Sequence, residues 1–96
     1  MSHGSVVYYQ QNRERLNIDL AGCFDDYSAQ KVIDLLRRIS KNTSVVFVRT
    51  DRIEDIRPSS LASFHEGLSF LNDLCCRLVF VGKEANRLAP EQVGCL

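Results

Sequence analysis

The residues best placed to do chemistry are the paired hydroxyls of Ser59 and Ser60, which follow Pro58 in DRIEDIRPSSLASF (51–64). A hydroxyl can act as a nucleophile, accept a phosphate or cap a helix, and its neighbours decide which. His65 lies on the same expected helix as Ser59, nearly two turns or about 9 Å further along, too far for a direct hydrogen bond. The chain has no nucleophile elbow, no glycine-rich phosphate loop and no HExxH. No catalytic residue is assigned, and the protein is not expected to be an enzyme. The cysteines at 23, 75, 76 and 95 form neither a CxxC pair nor a zinc-ligand spacing. No metal and no cofactor are expected, and the thiols read as reduced.

Pro58 has no amide to donate and favours an extended lead-in at Ile56–Arg57, so it suits a helix start. Ser59 or Ser60 can then cap that helix through its hydroxyl, a contribution of about 1 kcal/mol. Capping accounts for one serine and leaves the second. The N-terminus of a helix also gathers unpaired amide hydrogens and partial positive charge, so it tolerates phosphate. A phosphoserine there would add roughly two negative charges and could make or break a docking site.

Periodicity supplies the elements that hold this junction. VVYY (6–9) is β-branched and aromatic, and LNIDLAG (16–22) alternates apolar and polar residues, so the two read as an antiparallel hairpin. Asp25, Asp26 and Ser28 offer helix caps before Ala29, Val32, Ile33, Leu36 and Ile39, whose spacing predicts an amphipathic helix of about 12 residues. SVVFV (44–48) and RLVFVG (77–82) are unalternating apolar runs and read as strands covered on both faces. Leu61, Phe64, Leu68, Leu71 and Cys75 predict a second helix, weakened at Gly67, and residues 83–89 a short third one before Pro90. The order is β-β-α-β-α-β-α. Residues 1–96 are thus expected to form a single α/β domain with a small mixed β-sheet, antiparallel at the hairpin and parallel beyond it.

Charge and hydropathy limit the partners. Twelve basic and twelve acidic side chains cancel, which predicts no nucleic-acid partner and no anionic membrane surface. No apolar run is long enough to span a bilayer, so no direct membrane insertion is expected. MSHGSVVYYQQ lacks the pattern of a secretion signal, and a cytoplasmic location is the expectation.

Four stretches in order share the pattern of a known family: LNIDLAGCFDD, SVVFVRT, the serine pair opening SSLASF, and RLVFVGKEANRL. With the tail RLAPEQVGCL, they make most of residues 6 to 96 resemble a STAS domain, the module of anti-sigma factor antagonists and of the cytoplasmic tails of sulfate transporters. In antagonist-type members an Asp–Ser–Ser/Thr–Gly element occupies the place of PSSL, and its first hydroxyl accepts phosphate from a partner kinase. The resemblance implies that Ser59 is the candidate phosphoacceptor and Ser60 the second hydroxyl, with Gly22 and Asp25 in the loop before the first helix. Pro58 stands in place of the aspartate, Leu61 in place of the glycine, and the loop from Val48 to Ser59 reads about three residues longer. Those departures weigh against regulated phosphorylation and imply a divergent member, with phosphorylation of Ser59 and an unphosphorylated state both left open. STAS domains usually continue with a further strand and helix, so this shorter chain would gain from a partner or from homodimerisation.

The reading that follows is a non-enzymatic protein–protein interaction module. It would dock a regulatory partner, an anti-sigma factor or serine kinase, through residues 51–70. Gly22, Asp25, Asp55, Arg57, Ser60 and Phe64 are the candidate partner-binding residues. The alternatives are an unphosphorylated scaffold subunit of a transporter complex and a domain sensing a small molecule such as a nucleotide or lipid.

Overall fold

Leu16, Ile18 and Leu20 alternate with polar residues, and burying one side of that alternation creates the central ribbon of the sheet. In the computed structural model, which describes residues 4–39, 42–71 and 77–89, all three are buried on one face of β2 (Arg15–Phe24). β1 (Val6–Asn12) pairs antiparallel with β2 across a tight turn in which Arg13 has φ 56°. α1 (Asp26–Arg37) crosses over to β3 (Val45–Ile56), which runs parallel to β2, and α2 (Pro58–Ser69) precedes β4 (Arg77–Val81), parallel to β3. α3 (Ala85–Leu88) closes the described chain, and the sheet order is β1-β2-β3-β4. The fold is therefore the α/β arrangement read from the sequence, antiparallel at the hairpin and parallel beyond it.

Two strand expectations need correction. Residues 51–56 form the second half of β3 and not a loop. Their pairing with β2 slips between Asp19 and Ala21 and again between Gly22 and Cys23. Burial in this half falls at Thr50, Ile53 and Ile56, a spacing of three that hides a strand from any test for alternation. The second correction concerns coverage. Val46 and Val48 are buried, but their neighbours Val45 and Phe47 are half-buried and Arg49 is exposed; in β4 only Phe80 is fully enclosed. The helices join the inward side chains of β2, β3 and β4 in one core. Among the described residues, no helix lies over the opposite face of the sheet.

The second helix begins earlier than the leucine stripe suggests, with Pro58 at its first position, and ends at Ser69. Residues 72–76, on which the expected continuation to Cys75 falls, lie outside the described residues, as does the tail from Pro90. Phe64 sits at the centre of the core. Its ring meets Phe24 edge-on at 5.3 Å and Phe80 at 6.1 Å, so it joins α2 to the end of β2 and to β4. Below, a loop clasp fixes α3: the Thr50 hydroxyl donates to the Val81 carbonyl at 2.8 Å and accepts from the Glu84 amide, while Asp51 accepts from the Lys83 amide. Gly82 permits this clasp. It has φ 106°, and a Cβ there would meet Thr50 Oγ1 and Asp51 Oδ1 at 2.7 Å.

Removing the central ring should cost much of the fold's margin. Phe64→Ala is expected to lower the unfolding free energy by about 3–5 kcal/mol, against the roughly 5–15 kcal/mol typical of a domain. Urea unfolding followed by circular dichroism measures it.

Candidate functional site

Parallel pairing brings the C-terminal ends of β2 and β3 side by side, Phe24 opposite Ile56. Both chains then enter helices, so the first turns of α1 and α2 lie at the same edge of the sheet. The Arg57 amide donates to the Phe24 carbonyl at 3.0 Å, which locks the two exits together.

At the start of α1, Asp25 is the cap, as its residue type suggests. Its carboxylate accepts from the Ser28 amide at 3.2 Å. The buried Ser28 hydroxyl reaches back to the Cys23 carbonyl at 3.2 Å. Burial alone would raise the Asp25 pKa. Hydrogen bonds from the Ser28 amide, the Ser5 hydroxyl and the Tyr27 and Asp25 amides outweigh it and hold the carboxyl below its ordinary value.

The start of α2 differs from the expectation. The N-cap is Arg57, no side chain caps the helix, and the two serines divide. Ser60 is 1% exposed, and its hydroxyl donates to Asp26 Oδ1 at 2.7 Å. It thus ties the first turn of α2 to the first turn of α1. Ser59 is exposed. One hydroxyl is structural and the other faces outward, which resolves why the junction carries two.

The remaining candidates separate in the same way. Asp55 and Arg57 are exposed beside Ser59 in the chain, and Asp25 is half-buried at the neighbouring helix start. Gly22 has φ 76° and lies under the Gly4 carbonyl, which a Cβ would strike, so its role is the close passage of the N-terminal chain. Ser60 and Phe64 point into the protein. Their burial gives them the task of holding the helix, and a partner could not touch Phe64 without opening the core. Sequence reasoning passed over Tyr27, 54% exposed in the first turn of α1. Its place directly after the Asp25–Asp26 cap was the available signal.

His65 is turned away from Ser59. Its Nε2 lies 3.0 Å from the Arg87 carbonyl and 3.1 Å from that of Leu88, so as an N–H it donates to the end of α3. Cys23 is half-buried with a free thiol, and the cysteines at 75, 76 and 95 lie outside the described residues. No group of three or more His, Cys, Asp or Glu side chains that could hold a metal occurs among the described residues. Beside the helix starts, a shallow cleft of about 370 Å³ runs between α1 and α2, lined by Asp26, Ile33, Ser63 and Gly67 among others. Gly67 lets the helices close here, since a Cβ would stand 3.1 Å from the Ile33 side chain. Among the described residues, no helix is long and apolar enough to cross a membrane.

No protein-family profile matches the chain, and no curated protein does. Solved structures do. The anti-sigma factor antagonist SpoIIAA in its unphosphorylated form superposes with a TM-score of 0.58 at 12% identity, over 91% of this chain and 77% of that one. The fold is STAS-like. A structure titled "Crystal Structure Analysis of Mglu" matches 90% of this chain with a TM-score of 0.64 at 19% identity. The chain spans only 20% of the length of Mglu.

The division between the serines is measurable. Ser60→Ala should lower stability by about 0.5–1.5 kcal/mol through loss of the tie to Asp26, whereas Ser59→Ala should stay within roughly 0.5 kcal/mol of the parent. Asp25 gives a pH signature. Its folded pKa is depressed below the unfolded value of about 3.9, so its stabilisation is complete above that value and is lost as pH falls through the folded pKa. Asp25→Asn should therefore flatten the acid limb of the stability curve and leave its slope near neutrality unchanged.

Proposed function

We propose that this chain is a non-enzymatic docking module of the anti-sigma factor antagonist type. Its binding edge is the paired starts of α1 and α2, built from Asp25, Tyr27, Asp55, Arg57 and Ser59. The observation that carries this reading is the exposed Ser59 on an α2 terminus without a side-chain cap, next to a Ser60 committed to Asp26. A partner meets a surface whose backbone is fixed from below, so little conformational freedom is lost on docking. The likeness in fold to SpoIIAA, an anti-sigma factor antagonist, is the ground for a regulatory role, and a cytoplasmic location is part of the proposal. Ser59 is the phosphoacceptor in this reading. A phosphate on it would be welcomed by the helix amides but would set about two negative charges on the docking edge near Asp26 and Asp55. Complexes with an acidic or apolar partner surface would then dissociate.

A second reading has one observation in its favour. The same fold occupies a fifth of the longer Mglu chain, so the arrangement also serves as part of a larger polypeptide. On that reading the module is a scaffold within a transporter or enzyme assembly and carries no phosphate switch.

Protein purified from its native source separates the two. Intact mass should show a phosphate mapping to Ser59 in at least one growth state, and partners captured by the wild type should be lost with Ser59→Asp but kept with Ser59→Ala. Unmodified protein in every state, with partners indifferent to Ser59→Asp, favours the scaffold.

A further inference from the structure

The chain is neutral overall, yet its arginines are unevenly placed. Residues paired across a sheet project to the same side. The register therefore puts Arg15, Arg49, Arg52 and Arg77 together on the face turned away from the helices, with Tyr8 and Phe47 between them. Two contacts confirm the assignment. The Arg15 guanidinium lies over the Phe47 ring at 5.0 Å, and Arg52 stands 3.9 Å from Asp19 on β2. The next residue, Tyr9, is on the other side, where Lys31 of α1 lies over its ring. All four arginines are exposed, as is 59% of Tyr8. Against them the strands place Asp19, already beside Arg52, and Asp55 at the far end of β3. Asp51 and Glu54 are exposed in the same half of that strand, so the cationic part of the face is the row of Arg15, Arg49 and Arg77.

We propose that this face binds single-stranded nucleic acid. The arginines would follow the phosphates, Tyr8 and the Arg15–Phe47 stack would carry bases, and the amides of Gln10 and Asn17, in the same row as Phe47, would meet base edges. Base–aromatic stacking beside a cationic track is the general chemistry of single-strand platforms. Tyr8 and Phe47 flank β2, roughly 10 Å apart by strand spacing, so they can serve separate bases. In a duplex the bases are stacked on one another and paired, whereas in a single strand they are free to stack on Tyr8 and beside Phe47, which favours single strands. Apposing two copies through this face would bring like charges together, which disfavours a second copy as the occupant. The surface meets the helix-tip edge at Asp55, but Arg15, Arg49 and Arg77 lie further back along the strands, and the proposal does not depend on Ser59.

Fluorescence anisotropy with a labelled oligouridylate of about twelve nucleotides tests this on the whole chain. Saturable binding is expected at low salt, weakening roughly 20-fold between about 50 and 200 mM if three phosphates are neutralised. The double variant Arg49→Glu, Arg77→Glu should lose at least about tenfold, and Tyr8→Ala about fivefold. Arg37→Glu with Arg38→Glu, at the C-terminal end of α1, should bind like the parent. Each variant is first shown to keep the parent's unfolding transition. The proposal is overturned by no saturable binding at low salt, by equal losses in the α1 variant, or by equal affinity for a duplex. Tighter binding to polyglutamate or to phosphatidylserine vesicles than to the oligonucleotide also overturns it, and assigns the face to an acidic protein or a membrane.

Discussion

The parallel pairing of β2 with β3 is the constraint from which the rest of the architecture follows. Two strands that run the same way must be joined by a crossover, and here the crossover is α1. Because both strands end at the same edge, both following helices start there. The Arg57 amide on the Phe24 carbonyl and the Ser60 hydroxyl on Asp26 then fix the helix starts against each other. Had the pairing been antiparallel, these groups would lie at opposite ends of the sheet. The two bulges in the β2–β3 ladder have a local consequence too. They turn Ile53 and Ile56 inward and leave Asp55 exposed beside the start of α2.

The legible parts of this fold are those governed by a single period. The stripe of Val32, Ile33 and Leu36 identified α1, the alternation of Leu16, Ile18 and Leu20 identified β2, and both lie where expected. The second half of β3 escaped because its burial follows bulges, and bulges are set by partner register and not by local composition. The runs SVVFV and RLVFV look covered on both faces but are half-open, for a related reason. A strand flanked by apolar neighbours on a half-open face keeps apolar residues on both sides, so composition cannot distinguish it from a fully enclosed strand. At the site, residue type alone could not say which serine turns inward. That depends on Asp26, a residue 34 positions earlier in the chain, and such pairings exist only in three dimensions. Phe64 lies on a helix that starts at the candidate edge, yet it belongs to that helix's apolar stripe and is buried in the core.

Net charge illustrates the same limit from another side. Equal numbers of acids and bases exclude a uniformly basic protein, but they say nothing about how charge is divided between faces. The helix-tip edge carries Asp25 and Asp26 with Arg57, the sheet face sets four arginines against Asp19, and Asp55 lies where the two meet. The field a ligand meets is set by the nearest charges, because screening reduces anything beyond a Debye length of about 8–10 Å. The edge and the face, which meet at Asp55, therefore present different local fields, and neutrality of the whole chain does not make either of them neutral. The consequence for binding is that occupancy of one face need not oppose occupancy of the other. Coupling between them would have to pass through the packed core, where Phe64 touches Phe24 below the helix tips and Phe80 in β4. Coupling through such a core needs an element with two arrangements that both surfaces bias, and the interlocked rings of Phe24, Phe64 and Phe80 form one arrangement.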